Sequence, residues 1–160
     1  MRTIVFAFLV NCGFTLTQAA EPITPYEAIS YALATDRWMH TISTECERSV
    51  PEIADHISKV RIGWAKRNGN AFNGAQALKR SVEKQLGSQE KIAEFRRRLA
   101  NALDTESANT LAIAQSHKGK DKRSYCENFI RITDEAKADI RAFRPDIYDY
   151  LTEFLQYKSR

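Results

Sequence analysis

The chain has 160 residues, 43% of them hydrophobic and 28% charged, with 24 Lys and Arg against 20 Asp and Glu. Charge this close to balance speaks against nucleic acid or an anionic membrane as a partner, because either needs a concentrated basic face. The length removes any need for a structural metal or a dense disulfide framework, since a single domain of about 140 residues buries about two thirds of its unfolded surface.

The chain opens with Arg2, an apolar run over Ile4–Val10 that resumes at Phe14–Leu16, and small residues at Ala19 and Ala20. This is the layout of a secretory signal peptide over residues 1–20, cleaved after Ala19 or Ala20. Leu9-Val10-Asn11-Cys12 outlines a lipobox, but Asn11 is a poor residue before the cysteine, so a lipid anchor on Cys12 is not expected. The apolar run is too short to span a bilayer, which takes about 20 residues, and no later segment approaches that length. The mature domain, residues 21–160, is therefore expected to be periplasmic or secreted and not membrane-spanning.

Helical periodicity runs through most of this domain, with no alternating strand pattern long enough to compete. Thr24-Pro25-Tyr26-Glu27 has the form of a capped helix start, and Ile29, Ala32, Met39, Ile42 and Cys46 make one apolar stripe down to about Arg48. Ser49-Val50-Pro51-Glu52 starts a second helix with Ile53, Ile57, Val60 and Trp64 inward, and Asn68-Gly69 supplies a left-handed stop. A third helix carries Phe72, Ala75, Leu78, Val82 and Leu86 and ends at Gly87. Ser88 caps a fourth, with Ile92, Phe95, Leu99 and Leu103 inward. Residues 104–122 are the least regular and read as a loop containing a short turn near Thr110–Gln115. Ser124-Tyr125-Cys126-Glu127 caps a long fifth helix with Cys126, Phe129, Thr133, Ala136, Ile140 and Phe143 inward. Arg144-Pro145-Asp146 breaks it, and a last helix turns Ile147, Leu151, Phe154 and Leu155 inward. The predicted fold is all-α, a single bundle of about five to six helices.

Cys46 and Cys126 each sit on the apolar stripe of their helix, so both face the core of an exported protein. That predicts a structural disulfide. It would close a loop of about 80 residues and stabilise the fold by about 4–5 kcal/mol on the chain-entropy model. A redox role fits poorly, because redox pairs lie two residues apart at a helix start.

Signals for catalysis are weak. The chain has no G-x-S-x-G, P-loop or G-x-G-x-x-G. His40 and His56 flank the first helix junction near Glu45, Glu47, Glu52 and Asp55, without the spacing of a zinc motif, and His117 belongs to the polar loop. No metal or cofactor is expected. Arg96, Arg97 and Arg98 point in different directions on a helix, and Glu90 and Glu94 can pair with Arg97 or Arg98. Lys118, Lys120 and Lys122 concentrate charge in the expected loop, where they are either solvated or dock an acidic partner. Most aromatic residues fit buried stripes. Tyr150 and Tyr157 share one face of the last helix and, with Trp38, form the expected protein-binding patch if they stay exposed.

The run Cys46-x4-Pro51-x12-Trp64-x2-Arg67-Asn68, followed far downstream by Tyr125-Cys126-Glu127-Asn128-Phe129, resembles a recurrent pattern in small exported helical proteins of Gram-negative bacteria. The resemblance covers about a quarter of the mature chain and implies export and a bridged helical fold, with no activity or site attached. The chain is also loosely similar to the small helical immunity proteins of secreted-toxin systems. The functional expectation is a non-catalytic protein that binds another protein in an immunity, inhibitor or envelope-accessory role. The alternative is a small periplasmic hydrolase or a carrier for an apolar ligand.

Overall fold

The structure, a computed structural model, describes residues 22–158. The expected leader, with Cys12 and the cleavage site, lies outside them. Six α-helices follow one another, with a single 3-10 turn and no strand among the described residues: α1 Pro25–Ser49, the turn Pro51–Ile53, α2 Ala54–Leu86, α3 Gln89–Ser116, α4 Gly119–Asp134, α5 Ile140–Phe143 and α6 Pro145–Lys158. No described helix is long and apolar enough to cross a membrane.

Local chemistry sets several of the boundaries as the sequence predicts. The Thr24 hydroxyl accepts from the Glu27 backbone N–H at 3.1 Å, and Pro25 occupies the first turn, where a missing N–H costs nothing. Gly87 ends α2 at φ 70°, and the Ser88 hydroxyl accepts from Lys91 N–H at 3.3 Å to start α3.

Helix α1 is the central element. It packs against α2 and α3 along much of its length and meets α4 at its C-terminal half. The pairs Tyr26–Phe95, Arg37–Asp104 and Thr41–Ser107 advance together, so α1 and α3 run parallel. The contacts of α4 run the other way, Trp38 with Phe129 and Cys46 with Cys126. The Cys46–Cys126 disulfide is formed as predicted, with both residues fully buried. One cluster of the core surrounds it, including Met39, Ile42, Ile57, Trp64 and Phe129. A second, including Ile29, Leu78, Leu99, Ile140 and Leu151, fills the other end, and Phe72 packs against both.

Five expectations are corrected. The Asn68-Gly69 stop does not form, and α2 continues through it for 33 residues, about 50 Å. The reason is tertiary. The Asn68 side chain is fully buried, donates back to Trp64 O within the helix and to Asp139 Oδ1, and accepts the Ile140 N–H at 2.9 Å, so every bond it makes is compatible with helical backbone. Arg67 donates to both Asp139 carboxylate oxygens and to Thr133 O, and the Trp64 indole N–H donates to Ala138 O at 2.9 Å. The Trp64-x-x-Arg67-Asn68 run is thus a clamp on the turn after α4.

The expected loop over 104–122 is mostly helix, because Leu99, Leu103, Thr110 and Ala114 continue one buried stripe to the end of α3. Lys122 correspondingly lies inside α4 and is buried rather than displayed on a loop. The long fifth helix is broken at the clamped turn, where Ala136 takes the left-handed φ of 57°. That change of direction turns Phe143 outward, leaving it 64% exposed instead of inward.

Candidate functional site

Glu27, Ser30, Tyr31, Ala34, Thr35 and Trp38 recur at three- and four-residue steps and so share one face of α1. Ala102, Leu103 and Glu106 of α3 stand opposite, and Ala138 and Phe143 close one side, giving an open groove of about 600 Å³. Small residues make the room: Ala34, Ala102 and Ala138 leave space that longer side chains would fill. The Ser30 and Thr35 hydroxyls donate back to Glu27 O and Tyr31 O, at 3.1 and 2.8 Å, which satisfies them within the helix. The groove is therefore mainly apolar and aromatic, with a carboxylate from each helix.

The two parts of the groove differ electrostatically. At Tyr31 the Arg144 guanidinium lies 5.5 Å from the ring centroid and 2.8 Å from both Glu27 Oε1 and Asp146 Oδ2. Those carboxylates raise the pKa of Arg144, and the same hydrogen bond lowers that of Asp146. Burial raises the Tyr31 phenol, against the opposing charge of Arg144. At Trp38 the ring packs edge-on to Phe129 with centroids 5.7 Å apart. Glu106 lines the groove there and is exposed, with no hydrogen bond or ion pair among the described residues. Arg37, next to Trp38 in the chain, is paired with Asp104.

The sequence-predicted binding residues are only partly brought together. Trp38 lines the groove beside the disulfide-centred cluster. Tyr150 packs half-buried against the other cluster on α6, and Tyr157 projects from that helix at 77% exposure. Lys118 and Lys120 are exposed at the start of α4. Lys122 is not a docking cation, because its ammonium donates to Glu45 Oε1 at 2.7 Å and to Ala114 O at 2.6 Å. Burial alone would raise the Glu45 pKa, but hydrogen bonds from Lys122, Arg48 and Ser49 outweigh it and hold the carboxyl at about 2. A smaller polar cleft of about 440 Å³ opens beside this pair, lined by Arg48, Gln115, His117 and Lys118. His117 stacks on Tyr125 at 4.5 Å and bonds Asp121 at 2.6 Å, which makes it a packed residue and not a free loop histidine. Among the described residues no three His, Cys, Asp or Glu side chains converge to hold a metal.

Sequence reasoning missed Tyr31, Glu106, Phe143 and Arg144. The spacing of Tyr31 and Trp38, seven residues apart, was a usable signal for a shared face. Glu106 was hidden by the loop reading of its segment, and Phe143 by the broken helix. Comparison with known proteins finds no matching family model, no matching curated protein and no matching solved structure.

Proposed function

We propose that this is a periplasmic or secreted protein that binds another protein, receiving a segment of its partner in the groove between α1 and α3. An inhibitor, immunity or envelope-accessory role would each use such a site. The observation that carries the reading is the aromatic lining of an open groove, Tyr31, Trp38 and Phe143, with Phe143 largely exposed at its edge. Aromatic side chains supply large contact area for little lost rotamer freedom and dominate the energetics of protein interfaces. Of the two carboxylates in the lining, Glu27 is paired with Arg144 and Glu106 has no ionic partner among the described residues, so the end of the groove at Trp38 and Glu106 is complementary to a basic side chain. A groove walled by two long helices, one of them anchored to α4 by a buried disulfide, also needs little ordering when it binds.

A photo-crosslinking amino acid at position 143 of the exported protein, irradiated in the producing cell, tests this. One predominant protein adduct is expected. It should be lost on Trp38→Leu, which keeps apolar packing on Phe129 but removes the ring, while circular dichroism stays native. The same crosslinker at Ile113, exposed on α3, should give no such adduct. An adduct that survives Trp38→Leu, or the same adduct from position 113, overturns the proposal.

A further inference from the structure

At one end of the groove the chain's own residues make one complete arrangement of cation, aromatic ring and carboxylate. Arg144 lies over Tyr31 and pairs with Glu27. Two helical turns further along the same face of α1, about 10 Å away, Trp38 repeats the aromatic component. Across the groove, Glu106 of α3 repeats the carboxylate, and it has no ionic partner among the described residues. Arg144 is committed to Glu27 and Asp146 at the Tyr31 end, and Arg37, next to Trp38 in the chain, is held by Asp104. Trp38 and Glu106 thus offer the ring and the charge that Tyr31 and Glu27 offer at the other end, but without a cation supplied from within.

We infer that the partner segment carries a lysine or arginine whose methylene stem lies along Trp38 and whose head group pairs with Glu106. This rests on the groove being the protein-binding site. A long basic side chain suits the position because its stem can cover apolar surface while its head remains hydrated beside a carboxylate. Trp is also the aromatic ring with the strongest attraction for a cation. The ion pair alone contributes modestly at an exposed site, so the ring and the carboxylate must act together for selectivity.

The probe is acetyl-Ala-Ala-Arg-Ala-Ala-amide, compared with the same peptide carrying citrulline, which keeps the shape and loses the charge. Each is titrated into the oxidised protein while the indole N–H resonances are followed by NMR. The chain has two tryptophans, Trp38 and Trp64, and the resonance lost on Trp38→Leu identifies Trp38. The arginine peptide should shift the Trp38 resonance, with the citrulline peptide at least about fivefold weaker. Glu106→Gln should weaken the arginine peptide about threefold and leave the citrulline peptide unchanged. Glu94→Gln, a surface change on the same helix outside the groove lining, should alter neither.

Equal binding of the two peptides, or equal effects of Glu106→Gln and Glu94→Gln, overturns the cation assignment and leaves the groove standing if Trp38 still responds. Absence of any Trp38 response at millimolar peptide also overturns it, and the crosslinking result then decides the groove separately.

Discussion

Lys122 and Glu45 join α4 to α1 through side chains that are 7% and 5% exposed, and Ala114 O draws the end of α3 into the same contact. Because the folded Glu45 carboxyl sits at about 2 and its ordinary value is 4.5, the unfolded chain takes up the proton first as pH falls. The stabilisation is therefore fully present above about pH 4.5 and is lost as pH drops towards 2. Its size is about 3 kcal/mol from the displacement of the pKa. Glu83, bonded by Arg96 and Lys79 and also held at about 2, adds loss of the same sign over the same window. Urea midpoints at pH 7 and pH 3 should differ accordingly, and Glu45→Gln should be less stable at pH 7 with a flatter pH profile. Equal pH dependence in the two proteins would refute the assignment. Lys122 also marks a limit of sequence reading. A lysine in a run of lysines reads as solvated, and only the arrival of Glu45 and Ala114 O makes burial affordable for it.

At the scale of helices, α6 comes close against α2 at Gly74. A methyl group on Gly74 would fall on the Leu151 carbonyl carbon and oxygen, which are backbone atoms and cannot rotate away. Gly74→Ala should therefore destabilise the protein by about 1–3 kcal/mol, even though alanine is the better helix former by up to about 1 kcal/mol. Thermal unfolding measures this directly, and an unchanged or raised midpoint would show that α6 can withdraw at little cost. Gly69 is the useful contrast, since nothing lies within 4 Å of the position its methyl would take. The two glycines look alike in the sequence and differ only in what packs on them. The clamp has the same lesson. Trp64, Arg67 and Asn68 lie on α2, and their partners Thr133, Ala138, Asp139 and Ile140 come from about seventy residues later.

For the whole molecule, the disulfide joins α1 to α4 across a separation of 80 residues. Cross-linking so long a loop restricts the unfolded chain and is worth about 4–5 kcal/mol on the chain-entropy model. The double variant Cys46→Ala/Cys126→Ala should keep helical circular dichroism but unfold at markedly lower urea. A midpoint within error of the parent would mean that packing around Trp64 and Phe129 carries that end of the core without the bridge. Such a link suits a protein of an oxidising compartment, and it stiffens α1, the helix that supplies most of the groove.

The sequence alone determined what depends on neighbours a few residues apart. Thr24, Pro25, Gly87 and Ser88 mark helix ends through local hydrogen bonds and backbone preferences, and the apolar stripes place Cys46 and Cys126 inward. Tertiary structure decided whatever depends on a distant partner. Asn68 stays helical because Asp139 and Ile140 satisfy its side chain, and Phe143 faces outward because the clamped turn at Ala136 redirects the chain. The groove belongs to the second group: Trp38 was visible as an aromatic residue on a helix, but Glu106 faces it only because α3 lies parallel to α1.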